Sequence, residues 1–260
     1  QQICQEAQER YELSHSDARR TEFRSRNRYK DISPFDHSRI RLEYNNIDYI
    51  NASRVDVPEA QRSYILTQGP LAITFSHFWL MCWEKQSSCI VMLNKLVEKK
   101  QVKCHPYFPT NATKPMILKD VGLKITLLSR VGDDGELLPD NEDPDSDANS
   151  KQFRIIKHFH FTAWPDFGIP ESPEIFLKFL FSIRDEGLLN DTANHPPIIH
   201  CSAGVGRSGA FCLVDACLSI VIVNVNLRST LLNMRRYRMA LIQAPSQLKF
   251  SYQATVDGLK

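Results

Sequence analysis

One stretch narrows the possible folds more than any other. Between Pro196 and Val223 the chain runs from a short apolar segment, through a glycine-bearing loop, into a long apolar segment. Pro196, Pro197, Ile198 and Ile199 read as a buried strand, and Ala210 to Val223, interrupted by Asp215, as a buried helix. The loop between them is His200-Cys201-Ser202-Ala203-Gly204-Val205-Gly206-Arg207-Ser208-Gly209. A strand, a tight loop and a helix N-terminus form an anion site. Successive loop N–H groups curl into a nest, and the helix dipole adds positive potential at the same point. Arg207 brings a rigid fork of donors that matches two phosphate oxygens at once. Cys201 sits at the base of this positive bowl, where the thiolate is favoured over the thiol. The residues point to a thiolate nucleophile beneath a bound phosphate.

Two other readings of the loop stand beside that one. Gly204-Val205-Gly206-Arg207-Ser208-Gly209 also fits the Gly-x-Gly-x-x-Gly dinucleotide pattern. That pattern expects an acidic residue some twenty positions on, and around Arg228, Ser229 and Thr230 there is none. The plainer reading is a buried cysteine beside a glycine-rich turn, which leaves Arg207 without a purpose. A Walker phosphate loop is excluded, because no Gly-Lys-Ser/Thr follows.

The chain has 260 residues, of which 42% are hydrophobic and 24% charged. That suits one large α/β domain over 1–260 with a sizeable core. The net charge of +2 sets up no global field for nucleic acid or a membrane surface. The seven cysteines follow no framework spacing and include no Cys-x-x-Cys, so neither a metal site nor a redox pair is indicated. They read as reduced thiols in a cytoplasmic protein. Matches to the glycosylation acceptor pattern at Asn51, Asn111 and Asn190 are then accidental. No signal peptide and no apolar run of membrane-spanning length is visible.

Along the chain, Ile3, Ala7, Tyr11 and Leu13 are spaced like one helical face. Residues 19–30 carry six positive charges, either a solvated basic face or a contact for acidic substrate residues. Strands are expected at 48–54, 64–67, 89–93, 123–128 and 153–161, with a charged hairpin over 97–107. Helices are expected at 71–86, from Ser172-Pro173-Glu174 to about Gly187, and over 210–223, 227–239 and 246–258 with Ser246 as cap. Residues 132–150 are crowded with acids and read as a loop. Strands come first and helices later, with only partial alternation. This fits a single α/β (α+β) domain with a highly twisted mixed sheet flanked by helices, the reactive loop lying between a central strand and a helix.

A cysteinyl-phosphate route needs partners. The leaving oxygen needs a proton, and Asp166, on a loop bounded by Pro165 and Gly168, is the best candidate, although a Trp-Pro-Asp turn is more often only a turn. Ser208 can donate a hydrogen bond to the departing thiolate, and His200 can orient the loop. The intermediate must be hydrolysed, and Gln243 is an amide that can hold the water.

At this point the sequence resembles a family. His200-Cys201-Ser202-Ala203-Gly204-Val205-Gly206-Arg207-Ser208 resembles the His-Cys-x5-Arg-Ser/Thr loop of the protein tyrosine phosphatases. Trp164-Pro165-Asp166-Phe167-Gly168 is similar to their mobile acid loop, and Asn27-Arg28-Tyr29-Lys30-Asp31 to their phosphotyrosine-recognition loop. Asp48 to Ser53, Tyr64 to Pro70, Phe78 to Met81 and Gln243 to Gln247 match further blocks in the right order. The likeness is strongest to the non-receptor type 1 and type 2 branch.

The resemblance implies hydrolysis of phosphotyrosine in proteins. It makes Cys201 the nucleophile, and Arg207 with the amides of Ser202, Ala203, Gly204, Val205 and Gly206 the phosphate cradle. Asp166 is then the acid and base, with Gln243 positioning water and Gln247 supporting it. Tyr29 walls a deep slot, Asp31 bonds the substrate backbone, and Phe167 covers the ring. Trp164, Glu98 and Lys103 support the loops. No metal or organic cofactor is implied, and the domain is expected to act as a monomer without nucleic-acid or membrane contact. Cys201 is expected to be oxidisable to a sulfenic acid that can condense with the Ser202 nitrogen. The sequence departs from the pattern at Ala240, where relatives carry glycine, and this hinders a neighbouring second phosphate site despite Arg235. It departs also at Ala244, at the acidic segment 132–149 in place of a strand hairpin, and at a shortened junction near 223–226. A phosphotyrosine-binding module without turnover, or a dual-specificity or phosphoinositide phosphatase, is the alternative.

Overall fold

The computed structural model describes residues 13–131, 137–138, 152–165, 168–190, 192–220 and 226–260. Ile3, Ala7 and Tyr11 of the expected helical face, most of the acidic segment, Asp166 and Phe167, and all but Asn226 of the junction near 223–226 lie outside these residues.

Six strands form the main sheet, in the order β1-β2-β3-β12-β4-β11. They are β1 (Arg39–Arg41), β2 (Tyr49–Val57), β3 (Arg62–Thr67), β4 (Cys89–Met92), β11 (Lys157–His160) and β12 (Ile198–His200). β1, β2 and β3 pair antiparallel, whereas β3, β12, β4 and β11 are mutually parallel. The sheet is therefore mixed, as the order of elements in the sequence implies. β12 lies between β3 and β4, with Ile198 beside Ile65 and Ile90.

Each face of β12 enters a different core. Ile199 packs with Val91, Leu66 and the helical residues Phe176, Leu180, Phe211 and Leu213. Ile198 packs on the other side with Phe78, Leu80, Met81 and Tyr107. A strand buried on both faces has no polar position to spare, which is why Ile198-Ile199 reads as a continuous apolar run. The helices are α1 (Ser16–Arg19), α2 (Phe75–Glu84), α3 (Pro173–Asp185), α4 (Arg207–Ser219), α5 (Leu227–Arg235) and α6 (Pro245–Gly258). α2 covers one face, while α3, α4, α5 and α6 cover the other. Ser172 caps α3 as its sequence indicates, its Oγ accepting from Glu174 N at 3.2 Å.

Small hairpins decorate the sheet: β5 (Val97–Glu98) with β6 (Gln101–Val102), β7 (Met116–Leu118) with β8 (Leu123–Ile125), and β9 (Arg130–Val131) with β10 (Leu137–Leu138). The last pair flanks the start of the acidic segment. The expected strand 153–161 is shorter, because β4 begins at Cys89 opposite Lys157, and Phe153 and Ile155 are left exposed. α6 begins at Pro245 after Ala244, not at a Ser246 cap. Proline suits the first helical position, where its missing N–H costs nothing.

Candidate active site

The loop 201–206 leaves the sheet at the C-terminal ends of β3, β12 and β4, the side on which open α/β sheets bind ligands. Every carbonyl of this loop is held by a donor. Cys201 O accepts from His200 Nδ1 at 3.2 Å and Ser202 O from Gly69 N at 2.9 Å. Ala203 O and Gly204 O accept from Arg238 Nη2 at 3.2 Å and Nε at 2.8 Å. Val205 O accepts from Ile242 N at 3.0 Å, and Gly206 O from Ala210 N at 3.0 Å. In a planar trans peptide the next N–H points opposite to the carbonyl. The N–H groups from Ser202 to Arg207 therefore turn away from these partners, and none of them has an acceptor among the described residues. They form a nest of donors at the N-terminus of α4, with the dipole of that helix behind them. Cys201 lies at its base, 5% exposed.

Gly204 makes the turn possible. Its φ is +71°, and a Cβ there would lie 2.1 Å from Thr67 O. The loop is thus laid directly on the end of β3, closer than any side chain permits.

Arg207 is fixed before any ligand arrives. Its two Nη atoms meet Glu98 Oε1 at 2.6 Å and Oε2 at 2.9 Å, a bidentate pair largely withdrawn from water. Nη1 also reaches Leu93 O at 3.0 Å and Nη2 reaches Pro165 O at 3.3 Å. The guanidinium lies 5.7 Å from the centre of the Trp164 ring. Trp164 is buried against Phe161, Phe176 and Phe250, and its Nε1 donates to Gly168 O at 3.2 Å. Both ends of the segment that carries Asp166 are therefore anchored, one of them on Arg207 itself.

A buried polar chain supports the other end of the loop. Tyr107 Oη lies 2.7 Å from His200 Nε2 and 2.6 Å from His158 Nε2. Cys201 O only accepts, so His200 Nδ1 carries a proton. Burial pushes the pKa of His200 down to about 4 and that of His158 down to about 3, so both are neutral. His200 Nε2 is then an acceptor, Tyr107 donates to it, and His158 Nε2–H donates to Tyr107. Ser208 Oγ, buried one residue after Arg207, has no hydrogen-bond partner among the described residues.

The remaining residues named from the sequence are brought to the same place to differing degrees. Tyr29 Oη donates to Ser202 Oγ at 2.8 Å, because that hydroxyl already donates to Lys103 O at 3.1 Å. Arg28 holds this segment through Gly69 O at 3.0 Å and Pro70 O at 2.7 Å. Asp31 is exposed two residues beyond Tyr29. A Cβ on Gly206 would lie 2.9 Å from Gln247 Nε2 and 3.0 Å from Gln243 Oε1, so both amides overhang the loop. Gln243 N donates to Gln247 Oε1 at 2.9 Å. The Lys103 ammonium, by contrast, bonds Gln101 Oε1 at 2.9 Å, and it is the Lys103 carbonyl that touches the loop, through Ser202. Arg235 is 6% exposed and donates to Leu241 O at 2.8 Å and Ile242 O at 3.0 Å. Ala240 adopts φ +55°. Of the six basic residues in 19–30, Arg24, Arg26 and Arg28 hold backbone carbonyls.

A family model described as protein-tyrosine phosphatase matches residues 23–257. The chain belongs to this phosphatase family. It is 51% identical over 264 residues to tyrosine-protein phosphatase non-receptor type 2 of Homo sapiens, an alignment covering 97% of this chain and 60% of that protein. It is 46% identical to tyrosine-protein phosphatase non-receptor type 61F of Drosophila melanogaster, with 100% of this chain and 48% of the relative covered. With the Lar-like tyrosine-protein phosphatase of Caenorhabditis elegans it shares 37% identity over 90% of the chain and 10% of the relative. The chain thus spans about three fifths of the type 2 phosphatases it matches.

Three residues of this site were not legible beforehand. Tyr107 and His158 lie far from the loop in sequence; the pairing of β11 with β4, and of β4 with β12, brings His158 near it, and Tyr107 reaches both histidines through its hydroxyl. Arg238 sits in the run Arg235-Arg236-Tyr237-Arg238, where nothing local distinguishes a buried cation from an exposed one.

Proposed function

We propose that this chain hydrolyses phosphotyrosine in proteins through a cysteinyl-phosphate intermediate. The observation that carries the reading is the outward tethering of all six carbonyls from Cys201 to Gly206, which leaves their N–H partners free over a buried thiol. Such a bowl matches the equatorial oxygens of a transferring phosphoryl group, and it is built before substrate arrives. Arg207, oriented by Glu98, adds the fork.

Cys201 Sγ attacks phosphorus, the bond from phosphorus to the tyrosine oxygen breaks, and Asp166 gives that oxygen its proton. Asp166 then takes a proton from a water held by Gln243 and Gln247. The water oxygen attacks phosphorus, and the S–P bond breaks to release inorganic phosphate. Ser208 Oγ, without a hydrogen-bond partner among the described residues, donates to the departing thiolate. Tyr29, held to the loop through Ser202, sets a slot deep enough for a phenyl ring and too deep for phosphoserine. Phe167 closes over the ring and Asp31 bonds the substrate backbone. The mechanism needs no metal or organic cofactor.

We read residues 1–260 as one catalytic domain, acting as a monomer on phosphotyrosine proteins in the cytoplasm. The six described cysteines are all free, which supports a reducing compartment. Among the described residues no helix is long and apolar enough to cross a membrane.

The test is turnover of matched phosphotyrosine and phosphoserine peptides. Phosphotyrosine should be hydrolysed and phosphoserine spared. Cys201→Ser should abolish turnover, and Asp166→Ala should slow it about 10²–10⁴-fold while peptide still binds. Tight binding without turnover by the unaltered chain would make it a binding module, and hydrolysis of phosphoserine would remove the role given to Tyr29.

A further inference from the structure

The loop has a cation beneath it as well as one above it. Arg238 is 0% exposed, three residues beyond the end of α5. Its Nε donates to Gly204 O and its Nη2 to Ala203 O, while Nη2 also reaches Asn51 Oδ1 at 3.0 Å and Nη1 reaches Ser53 Oγ at 3.1 Å. All four acceptors are neutral. No carboxylate among the described residues forms an ion pair with it. A buried cation without a counter-charge is costly, and burial pushes the pKa of Arg238 down to about 10. Of the groups that act against that shift, the Cys201 side chain is the one able to carry a negative charge near neutral pH, because burial keeps the Tyr49 phenol protonated.

The arginine above the loop is placed differently. Arg207 already faces both oxygens of Glu98, so much of its charge is offset. Three further titratable neighbours of Cys201 and Arg238 are neutral. His200 is kept deprotonated by burial, whereas the Cys212 thiol on α4 and the Tyr49 phenol on β2 are kept protonated by it. Arg28 also carries a charge that acts on His200, but it is bonded to Gly69 O and Pro70 O; the uncompensated cation bonded directly to the loop's own carbonyls is Arg238.

We propose that Arg238 is a positioning residue for the Cys201 thiolate: its guanidinium is the counter-charge beneath the loop, and its fork turns the Ala203 and Gly204 carbonyls down so that the next two N–H groups face the bowl. This rests on the reading of Cys201 as a thiolate nucleophile. Thiolate and guanidinium solve one another's problem, each being the opposite charge that the other lacks in a buried place.

The experiment follows the alkylation of Cys201 by iodoacetamide against pH, read by peptide mass spectrometry, in the unaltered chain and in Arg238→Gln and Arg238→Lys. Iodoacetamide is neutral, so anion binding does not bias the profile. Arg238→Gln should move the midpoint up by about one pH unit, the scale of one lost neighbouring charge. Arg238→Lys keeps the charge and loses the fork. It should hold the midpoint within about 0.3 pH unit and lower kcat/KM about tenfold through the disturbed amides. A midpoint unmoved in Arg238→Gln, or moved equally in both variants, overturns the counter-charge. If Arg238→Gln does not fold, Asn51→Asp places a carboxylate on the Nη2 that Asn51 now holds, and the midpoint should again rise; an unmoved midpoint there is equally decisive against the inference. Failure of the underlying reading looks different. In that case Cys201 of the unaltered chain alkylates like a free peptide thiol, and Cys201→Ser retains turnover.

Discussion

Gly204→Ala puts a methyl group where the backbone of β3 already lies. The new Cβ would stand 2.1 Å from Thr67 O and 2.4 Å from Thr67 C. An ordinary carbon–oxygen approach is about 3.3 Å, so loop and strand must separate by about 1.2 Å. Both partners are main chain, and Thr67 is tied to Ala52 and His200 in the sheet, so the loop is what moves. A misplacement of about 1 Å at a reacting centre costs about 10²-fold, or about 2.7 kcal/mol of transition-state stabilisation. Stability falls as well. The left-handed φ costs an L-residue about 1–2 kcal/mol, and the overlap adds about 1–3 kcal/mol. Gly187→Ala is the control: its φ is also +71°, but its Cβ would meet only Asn190 Nδ2, at 3.5 Å. That variant should lose about 1 kcal/mol and keep full activity. Urea unfolding and kcat/KM on a phosphotyrosine peptide measure both effects. If Gly204→Ala kept kcat/KM within about threefold, or lost no more stability than Gly187→Ala, the close approach to β3 would not be what shapes the loop.

Asp215→Asn removes the acid that α4 buries against Arg62 at 3.2 Å, Arg184 at 2.7 Å and the Tyr64 hydroxyl at 2.6 Å. It should cost about 3–5 kcal/mol in urea unfolding and leave turnover per folded molecule unchanged. Acid should weaken the fold through His158 and His200. Their folded pKa values, about 3 and about 4, lie below the ordinary 6.5, so the unfolded chain binds more protons between about pH 4 and 6.5. Stability is full above that window and lost as pH falls through it, by about 4 kcal/mol for the pair at pH 5. Urea midpoints between pH 7 and 5 test this, and His158→Gln should remove about half of the slope.

The loop was readable because its chemistry is local. Strand, nest, arginine and helix N-terminus fall within a dozen consecutive residues, and their spacing alone implies an anion site. Buried strands and helices were readable where one periodicity held throughout, as in Ile198-Ile199 and the Phe75–Glu84 helix. The alternation at Phe153 and Ile155 misled, because a strand exists only where a neighbour offers a ladder, and β4 does not extend that far. Ser246 lost to Pro245 because the fixed φ of proline suits the first helical turn. The supports of the loop were the least readable part. Tyr107, His158 and Arg238 come from three separate segments. Nothing in the composition around Arg238 reveals that it, rather than Arg236, is sealed from water.

The place of β12 in the sheet has a consequence for how this protein fails. Ile198, Ile199 and His200 are 0% exposed and are bonded on both sides, to β3 and to β4. Amides in such a position exchange with solvent only when the whole domain opens. The reactive loop hangs from this strand, so it cannot loosen by fraying at an edge. Heat or denaturant should therefore remove activity and tertiary structure in one step. A cell would then meet this strand and its loop either intact or unfolded together with the sheet that holds them.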